Sequence, residues 1–185
     1  MQFRDLTAED VEVRVQSVKQ NGVILLLYKN ARVDMSILDE TVGAENWQRE
    51  HYECKGNLFC RVGINVSYGT GEPENYVWKS DCGVESNTEA QKGEASDSFK
   101  RACFNWGIGR ELYTSPLIFV APEKCTIKDT GKKDKYNKPI YACYDRFAVE
   151  KMAVENKQIT GLSIVNLSIK ADNIKDKRCF VWAKQ

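Results

Sequence analysis

An α+β fold is what this 185-residue sequence predicts: an antiparallel three-stranded meander covered by a long helix, with an N-terminal hairpin and helix before it and C-terminal β-strands after it. Three observations carry that expectation. Leu58, Cys60, Val62, Ile64, Val66 and Tyr68 alternate with Phe59, Arg61, Gly63, Asn65 and Ser67, the period of a strand with one apolar face. Ala95, Phe99, Ala102, Cys103 and Trp106 recur at helical spacing instead. Asn21-Gly22 is the strongest two-residue hairpin signal in the chain.

Each element has its own justification. Thr7 with Asp10 can cap a short helical turn, after which Val11, Val13 and Val15 alternate with polar residues as a strand. The Asn21-Gly22 turn joins it to a second strand, Val23 to Tyr28. Ala31, Met35, Leu38 and Val42 then share a helical face, Gly43 suits the stop, and Arg32 falls in the first turn. Asn46 to Cys54 reads as a strand, Lys55-Gly56-Asn57 as a turn, Leu58 to Tyr68 as the next strand and Tyr76 to Gly83 as the third. The long helix follows: Ser86 and Glu89 have capping-box spacing, and Gly107 and Gly109 mark the exit. Lys100 and Arg101 lie on the two flanks of its apolar face. After Pro116 strands return at Leu117 to Ala121, Ile140 to Val154, Ile159 to Ser168 and Cys179 to Trp182. A basic loop, residues 128–138, holds five lysines and two aspartates. The organisation expected is a core over residues 1–120 with a β-rich extension over 121–185 packed on it.

Composition narrows the function classes. A net charge of +1 does not announce a nucleic-acid binder, so such a role would rest on local clusters of Lys and Arg. The seven cysteines are odd in number and form no Cys-x-x-Cys; together with a start that lacks an apolar signal region, they read as reduced thiols in an intracellular compartment. No apolar run approaches a membrane span. His51, Cys54 and Cys60 are close in sequence, but the second ligand pair that a zinc site needs is missing, so no metal is expected. Gly69-Thr-Gly71 and Gly107-Ile-Gly109 lack the remainder of a phosphate-binding loop. With a single histidine and no paired acidic signature, no catalytic residue stands out, and binding is the better class.

Several blocks in a fixed order carry a resemblance. They are Tyr28-Lys-Asn-Ala-Arg32, Leu38-Asp-Glu-Thr-Val-Gly43, Asn46-Trp47, Lys79-Ser-Asp-Cys-Gly-Val-Glu-Ser86, the Ser-Asp-Ser-Phe-Lys-Arg-Ala run ending at Ala102, and Trp106-Gly-Ile-Gly-Arg110-Glu-Leu-Tyr113. Over about residues 7–120 the chain resembles the single-strand annealing proteins of the Rad52 superfamily. Tyr144-Asp-Arg-Phe147 and the hairpin through Asn156-Lys157 look like the C-terminal strands of its phage and prophage branch.

The resemblance implies a Rad52-like β-β-β-α core and a homo-oligomeric ring or filament without cofactor. It would bind single-stranded DNA and the annealed duplex intermediate in the bacterial host cytoplasm, with an exonuclease or a host single-strand binding protein as partner. It also implies a groove that holds DNA by its phosphates. Arg32 matches the groove arginine that opens the first conserved helix, and Lys100 and Arg101 match the basic pair on the long helix. A third groove arginine of the eukaryotic proteins is Phe104 here; either Arg110 substitutes or the phosphate path differs.

Lys79, on the strand face opposite Tyr76 and Trp78, could reach the groove or be merely exposed, and Lys92 is a weaker case. Tyr76, Trp78 and Trp106 read as core rather than as a base-stacking platform. The lysine-rich loop reads as a solvated hairpin tip, with a duplex-binding site as the alternative. Annealing needs free Watson–Crick edges on a neutralised backbone, whereas a plain single-strand protector, the competing reading, would stack the bases.

Overall fold

A computed structural model describes residues 1–84 and 90–184, the side chains of residues 90–92 excepted. In chain order the strands are β1 (Glu12–Lys19), β2 (Gly22–Tyr28), β3 (Trp47–Cys54), β4 (Asn57–Asn65), β5 (Tyr76–Cys82) and β6 (Ile118–Val120). They continue as β7 (Lys128–Lys133), β8 (Pro139–Ala142), β9 (Phe147–Glu155), β10 (Gln158–Asn166) and β11 (Arg178–Ala183). The helices are α1 (Ala31–Val42) and α2 (Ala90–Trp106). The fold is α+β with antiparallel strands, as the periodicities predict. Two compact units form: Met1–Asp5 with Asn30–Arg110, and Leu6–Lys29 with Glu111–Gln185.

The first unit is the three-strand, one-helix nucleus. β3, β4 and β5 pair as an antiparallel meander, Val62 standing opposite Lys79 and Gly63 opposite Trp78. The apolar face of β4 is sealed: Cys60, Val62 and Ile64 are fully buried, as are Phe99, Ala102 and Cys103 of α2. A fully buried Val, Ile or Phe side chain contributes roughly 1.5–3 kcal/mol. Polar pins fix the register of helix on sheet. The Leu58 N–H donates to Glu94 Oε1 (3.0 Å), the Val84 N–H to Asp97 Oδ2 (3.2 Å), and the Trp106 indole N–H to the Val62 carbonyl (3.0 Å). The closest approach is at Gly83, where a Cβ would lie 2.2 Å from the Glu94 carbonyl oxygen. His51 faces the same helix and donates from Nε2 to the Ala95 carbonyl. Trp47 stacks on Phe99 at 6.1 Å.

In α1 the Asn30 side chain accepts from the Arg32 N–H, an N-cap that fixes the start. Its buried stripe is Asp34, Ile37, Leu38 and Val42, so Ala31 and Met35 sit on the margin of the expected face rather than at its centre.

The second unit is a six-stranded sheet in the order β11-β10-β9-β1-β2-β6. Its edge strands β11 and β6 approach one another, so the sheet is nearly closed. Leu25, Leu27, Ile118, Val120, Leu162 and Ile164 supply much of its buried apolar lining. Glu150 of β9 accepts from Ser163 of β10 (2.6 Å) and from both Nε and Nη2 of Arg178 on β11 (2.6 and 2.5 Å), one network across three strands. These bonds, the guanidinium first, hold the Glu150 carboxyl down at about 2. Burial pushes the Cys179 thiol up to about 12 and the Cys125 thiol to about 11.

Several expectations are corrected. The strand from Leu58 ends at Asn65, whose Oδ1 accepts from the Ser67 and Asn75 N–H groups and turns the chain, leaving Val66 exposed. Asn46 lies in a short turn before β3 and donates to the Val42 carbonyl at the end of α1. The span Ile140 to Val154 is two strands in different sheets, broken where Asp145 accepts from the Thr126 N–H and the Asn166 amide. The basic stretch 128–138 closes a hairpin, as read, but strand begins already at Lys128, where β7 pairs with β8 as a separate ribbon. The Ser86–Glu89 capping box lies outside the described residues.

Candidate nucleic-acid interface

The C-terminus of α2 explains why cations collect where they do. Gly107 takes a φ of 99°, and the chain leaves the helix through paired bonds, Gly107 N–H to the Phe104 carbonyl (2.9 Å) and Ile108 N–H to the Cys103 carbonyl (3.2 Å). This is a Schellman exit, which satisfies the carbonyls of residues 103 and 104 and leaves that of Asn105. Two side chains meet there. Lys79 Nζ donates to the Asn105 carbonyl at 2.9 Å, and Arg110 Nη2 donates to the same oxygen at 3.1 Å. Arg110 Nε also donates to the Phe104 carbonyl at 3.0 Å. The partial negative charge of a helix end attracts cations, but it amounts to about half a unit, less than the two charges gathered.

The network continues along the edge strand. The Asn105 amide donates to the Ser80 carbonyl (3.0 Å) and to Asp81 Oδ2 (3.3 Å), while Arg101 Nε donates to Asp81 Oδ1 (3.3 Å). Lys79, Arg101 and Arg110 therefore belong to one connected set built around Asn105 and Asp81. These three cations thus gather around one carboxylate and one helix end. Lys100, half-buried, precedes Arg101 on α2.

The expected residues fare differently. Lys79 faces the helix side of the sheet, with Nζ 4.5 Å from the centre of the Trp106 ring, so it is half-buried rather than merely exposed. Arg110 places its guanidinium 5.5 Å from the centre of the Phe104 ring. Arg32 is exposed in the first turn of α1, and no described hydrogen bond or ion pair joins it to the Asn105 network. The Lys92 side chain lies outside the described residues. Asn105 and Asp81 were not singled out by the sequence. The one available signal was that Asn105 follows Arg101 by four residues, on the same side of the helix.

The aromatic residues also need correction. Trp78 and Tyr76 do not sit under α2. The pleat puts them on the opposite sheet face, half-buried, their rings 6.2 Å apart. Trp78 lies on Gly63, where a Cβ would be 2.8 Å from the ring, and the Arg61 guanidinium sits 4.6 Å from the ring centre. Tyr52 and Phe59 stack on each other at 5.6 Å, on that outer face as well. Trp106 is half-buried at the end of the helix stripe. Among the described residues, no three His, Cys, Asp or Glu side chains gather as a metal site, and no helix is long and apolar enough to cross a membrane.

The first unit is thus a meander sealed by one helix, with cations gathered at that helix's C-terminus. Residues 3–124, about two thirds of the chain, match the Rad52/22 family of double-strand break repair proteins. The chain belongs to that family. Searches of curated proteins and of solved structures returned no match. Membership implies, at family level, DNA repair and recombination by single-strand annealing. Family members bind single-stranded DNA and typically form oligomers.

Proposed function

We propose that this protein binds single-stranded DNA by its phosphates and anneals complementary strands without ATP or any catalysed bond change, working as a homo-oligomeric ring or filament. The observation that carries the reading is the set of Lys79, Arg101 and Arg110 joined through Asn105 and Asp81, inside the segment that matches the family. Cations anchored on a strand, a helix and its exit neutralise a backbone without touching the bases, which annealing requires. Arg32 and Lys100 extend the phosphate path, and Lys92 lies on the same helix. Arg110, beside Phe104, would supply the charge that the eukaryotic pattern places at that position. The C-terminal strands support membership of the phage and prophage branch, and with it action in a bacterial cytoplasm alongside an exonuclease or a host single-strand binding protein.

The direct test mixes complementary oligonucleotides with the protein in the absence of nucleotide. Duplex formation is expected to accelerate, and no DNA breakdown is expected with magnesium or manganese. Arg32→Ala and Lys100→Ala/Arg101→Ala are expected to weaken single-strand binding and to lower the log–log salt slope by about 0.7 for each phosphate no longer neutralised. They should leave the oligomer intact on size-exclusion chromatography. Normal DNA binding by these variants would dismiss the groove assignment.

A second reading has its own support. The outer sheet face offers Trp78, Tyr76, Tyr52 and Phe59 with Arg61, the kind of platform on which bases stack. A protein that relied on it would protect single strands without accelerating annealing, and Trp78→Ala would then lower affinity more than Arg101→Ala.

A further inference from the structure

Beyond the family-matched segment, the β7–β8 ribbon carries a charge pattern that the single-strand site does not use. Lys128, Lys132, Lys133, Lys135 and Lys138 are all exposed. The two aspartates of the stretch are turned onto its own backbone. Asp129 Oδ1 accepts from the Gly131 N–H, and Asp134 Oδ1 accepts from the N–H groups of Tyr136 and Lys138. They shape the turns while the lysines point to solvent. At the tip Tyr136 is 69% exposed, and Lys135 Nζ stands 5.0 Å from the centre of its ring. The whole chain has 27 basic and 26 acidic residues; residues 128–138 hold five and two of these. The remainder is thus 22 basic against 24 acidic, and the ribbon alone turns the chain from net negative to net positive. An exposed concentration of one sign on a near-neutral molecule directs polyanions to that place.

We propose that the β7–β8 ribbon is a second DNA contact, one that holds duplex, including the product of annealing; this rests on the annealing reading given above. Duplex is favoured over a single strand by shape. Paired strands lie about 4.8 Å apart, so a two-stranded ribbon with its side chains fits the major groove, about 12 Å wide. There it is flanked by phosphates of both strands, whereas a single strand offers one line of them. The ribbon thus suits the paired product rather than the unpaired strand.

The test compares full-length wild type with Lys132→Ser/Lys133→Ser/Lys135→Ser/Lys138→Ser, using fluorescence anisotropy with a 20-base-pair duplex and with a 20-nucleotide oligo-dT over a salt series. The variant is expected to lose tenfold or more in duplex affinity at low salt. Its log–log salt slope should fall by about three, while oligo-dT binding stays within about twofold. The same four positions changed to arginine should retain duplex binding, which separates charge from a folding effect. Unchanged duplex affinity in the serine variant, or an equal reduction on both ligands, overturns the ribbon assignment. Wild type that binds duplex but not oligo-dT overturns the annealing reading and leaves the ribbon standing as a duplex site. Wild type that binds neither overturns both.

Discussion

Asp81 sits among cations that the proposed function needs, and its effect there is opposite to theirs. One carboxylate oxygen accepts from Arg101 and the other from the Asn105 amide. It positions both groups and subtracts a charge from the site. Asp81→Asn keeps an acceptor for Arg101 and removes the negative charge. Two charges about 7 Å apart in a water-like medium interact by about 0.6 kcal/mol, which predicts roughly a threefold gain in single-strand affinity. A titration showing no gain would mean the strand runs elsewhere. Gly83 is a second residue with a definite consequence. Its missing side chain lets Glu94 of α2 approach the sheet, and an alanine Cβ would overlap the Glu94 carbonyl oxygen at 2.2 Å. Gly83→Ala is expected to destabilise the fold by about 1–3 kcal/mol through forced separation of helix and sheet. Thermal denaturation checks it, and an unchanged midpoint would contradict that packing.

Elements were legible where their signal is local. The alternation in β4, the helical spacing of α2 and the β1–β2 hairpin each need only neighbouring residues, and each is present, but the hairpin turns one residue earlier than expected, at Gln20-Asn21, with Gly22 opening β2 opposite Lys19. What the sequence left open depends on how elements meet. Period two puts Lys79 and Trp78 on opposite faces but does not say which face α2 covers; the helix covers the Lys79 side. The roles of Asn105 and Asp81 depend on α2 lying across the end of β5, 24 residues apart in the chain. The break between β8 and β9 has no Gly or Pro to announce it and follows from Asp145 bonding to Thr126 and Asn166. Also at this scale, Glu150 ties β9, β10 and β11 together. Its folded value of about 2 lies below the ordinary 4.5. The stabilisation is therefore complete above the ordinary value and fades as pH falls towards 2. Glu150→Gln should lower the melting midpoint at pH 7, and the gap from wild type should narrow steadily from pH 5 to pH 2. A gap independent of pH would mean that the charge of Glu150 does not contribute.

For the whole molecule, net charge conceals more than it reveals. A total of +1 argues against a nucleic-acid role, yet the distribution sets one cluster at the end of α2 and another on the β7–β8 ribbon. Of the first, the resemblance read from spaced blocks pointed to Arg101 and, as one of two alternatives, Arg110; these lie within the matched segment. The second lies outside it and had to be judged from exposure and from where its aspartates point. The shared oxygen of Asn105 has one more effect. Because it already steadies the tips of Lys79 and Arg110, neither needs to surrender much rotational freedom to a passing anion, otherwise a cost of about 0.5–1.5 kcal/mol for a long side chain. On the proposed reading, each contact with a phosphate would then be stronger for the same number of bonds, because less ordering entropy opposes it.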